Sequence, residues 1–296
     1  MRTLKSWWAL IRREYLEHRI AFLYFPLGIL GLFAVSAASS LTFNRFRFAS
    51  SLQIGSTLKI FELGYLVLIA LWLGYAAIAL FFYFGDAFNA DRRNNAMYFW
   101  KSMPVSDLKM LTAKFLAGVT LFPGLIFAMA AVSGLLFFVV LNIASFTFPI
   151  LGPVDPVATL VSFGHITAFG IVFLAVSLLW YAPFLAWVGG LSTVFGRWSL
   201  PLAVLIPGVL AAMENMIAFA YIPRGGYIWG YLANRLKFGL NEFDLSLLVA
   251  SPAQFDVRTY VWLLFRETDW MSVGTGLVFT ALVMWLASAY RRRRIA

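Results

Sequence analysis

The residues best suited to recognition are concentrated in one polar segment, Gly85–Lys114, between two long apolar stretches. Its acids and arginines can pair with charges on a partner, and the apolar cluster Met97–Trp100 follows them directly. An aromatic cluster inside an otherwise solvated loop costs free energy unless something covers it. We therefore expect the bilayer surface or another protein to cover this cluster, and we favour a soluble partner.

A new helix is predicted to begin just after this cluster. Ser106 has the short hydroxyl side chain of a helix N-cap, Asp107 suits the first helical turn, and Pro104 lies just ahead of them. The segment 85–114 is therefore predicted to be a loop that joins the second and third membrane spans and contains its own helix start.

A second candidate site is an acid within a predicted span. Glu214 lies in the outer half of the fifth span, where a carboxylate is costly and tends to face a bundle interior or a cavity. It could line a substrate path or a subunit interface. Alternatively, it lies close enough to the outer surface to be hydrated, and both interpretations stay open.

Motifs for catalysis are absent from the sequence. It contains no G-x-x-x-x-G-K-[ST], no H-E-x-x-H, no G-x-S-x-G and no cysteine. We therefore predict no catalytic residue, no metal site and no nucleotide bound by this chain. Any energy for transport would have to come from another subunit.

Composition defines the class of protein that must position these residues. Hydrophobic residues make up 62% of the 296 residues and charged residues 12%, whereas soluble domains average about 45–50% and about 25%. We predict an all-α, polytopic membrane protein with a single transmembrane domain, 1–296. The six predicted spans are about 20–38, 63–84, 115–141, 163–188, 200–220 and 273–290.

Two further elements are predicted outside the spans. Residues 1–19 place Trp7, Trp8 and other apolar side chains at helical spacing, which favours an interfacial amphipathic helix over a basic leader or a signal peptide. The segment 221–272 is the longest one between spans, so we predict a structured outer loop with short helices.

The distribution of basic residues predicts orientation. With both termini in the cytoplasm, 15 of the 23 Lys and Arg residues lie in inner segments, including the run Arg291–Arg294. The net charge of +10 is therefore attributed to membrane orientation and lipid contact, and no nucleic-acid partner is expected.

The loop after the second span resembles a known family. The stretches Tyr83-Phe84-Gly85-Asp86-Ala87, Asp91-Arg92-Arg93-Asn94 and Phe99-Trp100-Lys101-Ser102-Met103-Pro104-Val105-Ser106-Asp107 are similar to those of permease subunits of type-2 ABC transporters of the exporter class. The six spans and the amphipathic N-terminal helix also match that layout. About 25 residues carry the resemblance, and they are uninformative about the substrate.

The resemblance implies a function and a set of partners. The chain would be the permease subunit of an ATP-driven exporter in the cell (inner) membrane, paired with a second permease and two cytoplasmic ATPase subunits that bind the ATP. The loop would supply the coupling helix, whose contact residues would be Asp91, Arg92, Arg93, Phe99, Trp100, Lys101 and Ser106. The alternatives are a non-transporting membrane scaffold and a membrane-embedded lipid-modifying enzyme.

Overall fold

The structure is a computed structural model that describes residues 2–42, 56–93, 106–147, 153–218, 226–238 and 254–294. Within these ranges the chain is helical and contains no β-strand. The all-α prediction is therefore confirmed for the described part of the chain.

Ten α-helices follow each other along the described chain. They are α1 (Arg2–Arg19), α2 (Phe25–Thr42), α3 (Thr57–Arg93), α4 (Asp107–Leu116), α5 (Phe122–Thr147), α6 (Pro156–Phe195), α7 (Ser199–Ala218), α8 (Tyr227–Leu236), α9 (Val257–Glu267) and α10 (Trp270–Arg294). Short π-helical segments, Ile20–Tyr24 and Ala117–Leu121, join α1 to α2 and α4 to α5.

Five helical segments are long and apolar enough to cross a membrane. They are Lys5–Thr42, Thr57–Asp91, Asp107–Thr147, Pro156–Ile217 and Trp270–Arg293. The chain is thus compatible with a multi-pass membrane protein. The sequence predicted six spans, and the number differs because α6 and α7 are separated only by a short 3-10 turn, Gly196–Trp198.

The chain folds back between α6 and α7. The indole nitrogen Nε1 of Trp187 in α6 donates to the carbonyl oxygen of Ala203 in α7 at 3.3 Å, atoms that a straight helix would separate by about 24 Å. Gly196 adopts φ +58°, a left-handed conformation that a glycine accepts without strain. The predicted spans 163–188 and 200–220 leave residues 189–199 as a turn. That turn is too long, because α6 continues to Phe195.

The predicted spans 20–38 and 63–84 leave residues 39–62, including Lys59 and Glu62, as a polar loop, which is also too long. Helix α2 continues to Thr42, and α3 already begins at Thr57, where the Ser56 side chain accepts a hydrogen bond from the Lys59 backbone nitrogen. Lys59, one of the charges that suggested a loop, is buried in an ion pair with Glu62, so it does not prevent helix formation; Arg45 and Arg47 lie outside the described residues.

The two π-helical segments explain how prolines fit inside long helices. Proline has no N–H, so Pro26 and Pro123 leave the carbonyls of Phe22 and Val119, four residues earlier, without their usual donor. Both carbonyls belong to the π segments, where hydrogen bonding is shifted by one residue. The ring of Phe22, in the first π segment, stacks on the ring of Phe122, the first residue of α5, with 3.9 Å between the ring centres.

Helices α3 and α6 make the most extensive contact in the bundle. Helix α3 also packs against α5, and α6 packs in turn against α10, α7 and α9. Buried aromatic side chains fill this interface, and glycines allow their close approach: a Cβ at Gly134 would overlap with the Tyr65 ring. This core fixes the two ends of α3, where the polar residues lie.

Candidate functional site

Six charged side chains form an ionic cluster where α3 ends, which we call the Asp91 end of the bundle. They come from four helices: Arg13 and Glu14 of α1, Asp91 of α3, Asp107 and Lys114 of α4, and Arg291 of α10. Three acids face three bases in these contacts, and Arg13 pairs in addition with Glu17 of α1 at 2.7 Å. Ion pairs therefore join α1, α3, α4 and α10 to each other at the Asp91 end.

Asp91 is the centre of the ionic cluster. Its carboxylate is 1% exposed, with Oδ1 lying 3.4 Å from Nη2 of Arg13 and Oδ2 lying 3.5 Å from both Nζ of Lys114 and Nη2 of Arg291. Removing a buried charge from water is costly, and here three cations offset that cost. Asp91 therefore links the end of α3 to three other helices.

Glu14 forms the second acidic centre. Its Oε1 lies 3.0 Å from Nζ of Lys114, and its Oε2 lies 3.1 Å from the Tyr83 hydroxyl, which also lies 3.0 Å from the backbone oxygen of Lys114. Lys114 is 3% exposed and is thus shared between Glu14 and Asp91. The first helix is fastened to α3 and α4 by buried polar groups.

Local sequence explains how α4 presents its charges. The Ser106 side chain accepts a hydrogen bond from the Lys109 backbone nitrogen at 3.3 Å, which confirms the predicted N-cap. From this start, Asp107 and Lys114 are two helical turns apart and share one face. Asp107 Oδ1 lies 3.8 Å from Nε of Arg291, so both side chains face α10 and the ionic cluster.

The ionic cluster lies inside the predicted coupling loop, 85–114. Residues 85–93 and 107–114 of that segment are helical, as the end of α3 and the first part of α4. Asp91 precedes residues 94–105 and Asp107 follows them. The backbone of Arg92 and Arg93 forms the last turn of α3, whereas Phe99, Trp100 and Lys101 lie outside the described residues. Of the predicted contact residues, the structure therefore places Asp91 in the cluster and Ser106 at the start of α4.

Glu214 lies elsewhere, near the end of α7. Its Oε1 and Oε2 accept hydrogen bonds from the backbone nitrogens of Tyr227 and Ile228 at 2.9 and 2.8 Å. It therefore caps the first turn of α8. The other end of α7 is fixed near the ionic cluster, where the Ser199 hydroxyl donates to the Gly85 carbonyl at 2.8 Å.

A second polar cluster lies where α3 begins, which we call the Glu62 end. The Glu62 carboxylate is 1% exposed and accepts hydrogen bonds from Nζ of Lys59 at 2.7 Å, the Ser162 hydroxyl at 2.7 Å and the Phe255 backbone nitrogen at 2.9 Å. His165 Nδ1 lies 3.0 Å from the Phe255 oxygen. Both polar groups of the Phe255 backbone are thus held by α3 and α6, just before α9.

Sequence reasoning missed several of these residues. Glu14, Lys114 and Arg291 lie among ordinary basic and interfacial residues, and Glu62 was placed in a loop. Each partner pair except Lys59–Glu62 is far apart in sequence, so no local spacing reveals it. One available signal was the pair Asp107 and Lys114, which share a face once Ser106 is taken as the N-cap.

Helix α1 carries three side chains that could bind a metal ion, Glu14, Glu17 and His18. Their potential ligand atoms lie within 4.8 Å of one another. Glu14 is already bound by Lys114 and Tyr83, and Glu17 Oε1 lies 2.7 Å from Nε of Arg13. These carboxylates therefore belong to the ion-pair network, and we assign no metal to them.

Comparisons of this chain with protein-family models, curated proteins and solved structures found no significant match. The resemblance described from the loop motifs therefore stays a prediction. The geometry of the ionic cluster is an observation independent of it.

Proposed function

We propose that this chain is the transmembrane permease subunit of an ATP-driven exporter of the type-2 ABC class. In this proposal it crosses the cell (inner) membrane six times, with α6 and α7 as separate spans and both termini in the cytoplasm. The Asp91 end then faces the cytoplasm. The chain pairs with a second permease, the same or homologous, and with cytoplasmic ATPase subunits that bind and hydrolyse ATP.

The observation that carries the proposal is the position of the ionic cluster. Residues on both sides of the segment 94–105, inside the predicted coupling loop 85–114, are joined by buried charges to the first helix and to the last one. A loop that only connected two spans would not need such fastening. A loop that receives force from a partner would, because the force must reach helices that are distant in sequence.

The proposed mechanism transmits force through these charges. The ATPase holds Phe99 and Trp100 in an apolar cleft, and the flanking charges pair across its rim, as anchors do at protein interfaces. When the ATPase subunits close, the loop moves and carries the ends of α3 and α4 with it. Asp91 and Lys114 then move α1 and α10, and the packed helices tilt as rigid bodies.

Three other predicted features take their place in this proposal. Helix α1 is amphipathic in sequence and lies against α4, which suits an interfacial helix beside the coupling loop. Helices α8 and α9 fall within the predicted outer loop, 221–272, and supply its short helices. Glu214 is proposed to line the substrate path or a subunit interface from the end of α7.

The experiment is mild extraction of tagged protein from its native membranes, followed by mass spectrometry of co-purifying proteins. We expect a stoichiometric P-loop ATPase with the unchanged chain and its loss with the double variant F99A/W100A, because the aromatic anchors are gone. The matched control is W262A/F265A, which removes two exposed aromatic side chains of α9. Equal ATPase recovery from all three proteins, or none from the unchanged chain, would refute the coupling function and favour a scaffold or an enzyme.

A further inference from the structure

One buried charge takes no part in either polar cluster. Arg235 of α8 is 2% exposed, and its guanidinium carbon lies 4.3 Å from the centre of the Trp180 ring. Within the described part of the chain, its Nε, Nη1 and Nη2 have no hydrogen-bond partner, carboxylate oxygens included. Every other buried cation described above has an acid beside it.

The backbone that carries Arg235 is firmly held. Trp180 Nε1 donates to the Arg235 carbonyl oxygen at 2.7 Å, and the Tyr181 hydroxyl donates to the Leu236 carbonyl oxygen at 3.1 Å. Glu214 caps the opposite end of α8. The guanidinium is therefore positioned by three helices, and its burial is not the result of a loosely placed side chain.

The neighbouring helix leaves space for this guanidinium. A Cβ added at Gly276 of α10 would overlap with Nη2 of Arg235 and lie 3.1 Å from Cγ of Pro183. At Gly274, one half-turn earlier, an added Cβ would meet nothing within 4 Å. The bundle thus provides a fitted space for a cation between Trp180, Pro183 and Gly276.

Asp269 is an acid whose pKa is affected by the charge of Arg235, but its carboxylate is already hydrogen-bonded to other groups. Hydrogen bonds from the Ser272 hydroxyl and backbone, and more weakly the charge of Arg235, lower the pKa of Asp269. Its carboxylate caps α10 by accepting from the backbone nitrogens of Met271 and Ser272 at 3.0 and 3.1 Å. It makes no ion pair with Arg235, so the guanidinium keeps its capacity for an anion.

We infer that Arg235 is a binding site for the anionic group, a carboxylate or a phosphate, of an amphipathic molecule. A guanidinium presents two parallel N–H donors that match the oxygens of either group, and such paired bonds are strongest away from water. Tyr231 of α8 is exposed and lies one helical turn before Arg235 on the same face, so its ring suits the apolar part of the same molecule. In the present arrangement the guanidinium is enclosed, so the anion reaches it when α8 separates from α10.

This inference does not require the export function, because it rests on Arg235 and its surroundings alone. The two sources of the anionic group are distinguished by the probes. Laurate tests a carboxylate, phosphatidic acid tests a lipid phosphate, and lauryl alcohol and diacylglycerol are their uncharged counterparts. Binding is measured by native mass spectrometry of the full chain in a neutral detergent.

Two pairs of variants test the site. R235Q removes the charge, and R266Q removes a matched charge that also lies over a tryptophan, Trp262, but has a side chain 65% exposed. G276A displaces the guanidinium without altering Arg235, and G274A is its control. We expect R235Q and G276A to weaken binding of one anionic probe by about tenfold or more, as loss of a charge-assisted hydrogen-bond pair should.

The outcomes are decisive in either direction. Support requires that the unchanged chain prefers an anionic probe to its uncharged counterpart, and that R266Q and G274A bind within about twofold of it. If R235Q does not fold, G276A and R235K, which keeps the charge but not the paired donors, carry the test. Equal binding by G276A and G274A, or no preference for either anion in the unchanged chain, would overturn the inference and leave Arg235 a packed structural cation.

Discussion

The two ends of α3 hold their neighbours by different means. At the Asp91 end, acids and bases from four helices pair with each other, and each of Asp91, Glu14 and Lys114 has more than one partner. At the Glu62 end, a single carboxylate binds a nearby lysine, one hydroxyl and one backbone nitrogen. The first arrangement joins whole helices, whereas the second fixes one short segment of chain.

This difference separates two uses of a buried carboxylate. Ion pairs between side chains can exchange partners when helices move, because the side chains are long and several counter-charges are available. A carboxylate bound to a backbone nitrogen has one geometry and holds that backbone in place. We therefore expect motion to be transmitted at the Asp91 end and resisted at the Glu62 end.

The largest effect is expected from D91N. The amide keeps the shape of the side chain but leaves Lys114 and Arg291 with one acid fewer, and breaking a buried ion pair typically costs about 3–5 kcal/mol. We expect a clear fall in the midpoint temperature of unfolding in detergent. The measurement is the fluorescence of the folded peak in size-exclusion chromatography after heating to a series of temperatures. The control is R13Q, since Arg13 is partly exposed and Asp91 keeps Lys114 and Arg291 as counter-charges, so we expect a loss of about 1 kcal/mol or less.

Similar stability of D91N and R13Q would contradict the central position of Asp91. It would also remove the contrast between the two ends, because the ionic cluster would then contribute no more than a surface pair does.

A smaller and more local effect is expected from E62Q. Glutamine keeps an acceptor for the Phe255 nitrogen but leaves the Lys59 ammonium without its anion. This breaks one buried ion pair, a loss of about 3 kcal/mol, whereas D91N removes the acid from three pairs. Hydrogen exchange should become faster at Phe255 and in the first turn of α9. Amides near Asp91 should keep their protection, and faster exchange at both ends would show that the two clusters are not separate units.

The smallest effect on stability is expected from E214Q. Glutamine retains one acceptor for the first turn of α8 and loses the charge, which near a helix N-terminus contributes about 0.3–1 kcal/mol. Exchange should increase only at Tyr227 and Ile228. In the proposed exporter, transport into membrane vesicles should change while assembly does not; normal transport would leave Glu214 a helix cap and no more.

The features that could be predicted from the sequence are those that depend on neighbouring residues in the chain. Ser106 was predicted as an N-cap because capping depends on neighbouring residues, and the long apolar stretches predicted the membrane-compatible helices. The ionic cluster was not predictable in this way, since Arg291 meets Asp91 across 200 residues of chain. Asp91 was identified only through its motif, not through its partners.

The predicted helix boundaries were wrong where polar residues were taken as a sign of a loop. Lys59 and Glu62 neutralise each other inside α3, so a charged stretch is compatible with a buried helix. Arg235 was overlooked for a related reason. Its burial depends on Trp180 and on the absence of a side chain at Gly276, and neither residue is near it in sequence.

The length of α3 has a consequence for the membrane in which the protein works. Glu62 and Asp91 are about 44 Å apart along the helix at about 1.5 Å per residue, close to the full thickness of a bilayer with its headgroups, about 40–45 Å. A bilayer thinner than this forces α3 to tilt, and a thicker one draws charged residues toward hydrocarbon. Since the ionic cluster ties α1, α4 and α10 to that helix, lipid chain length should set the tilt of all four together.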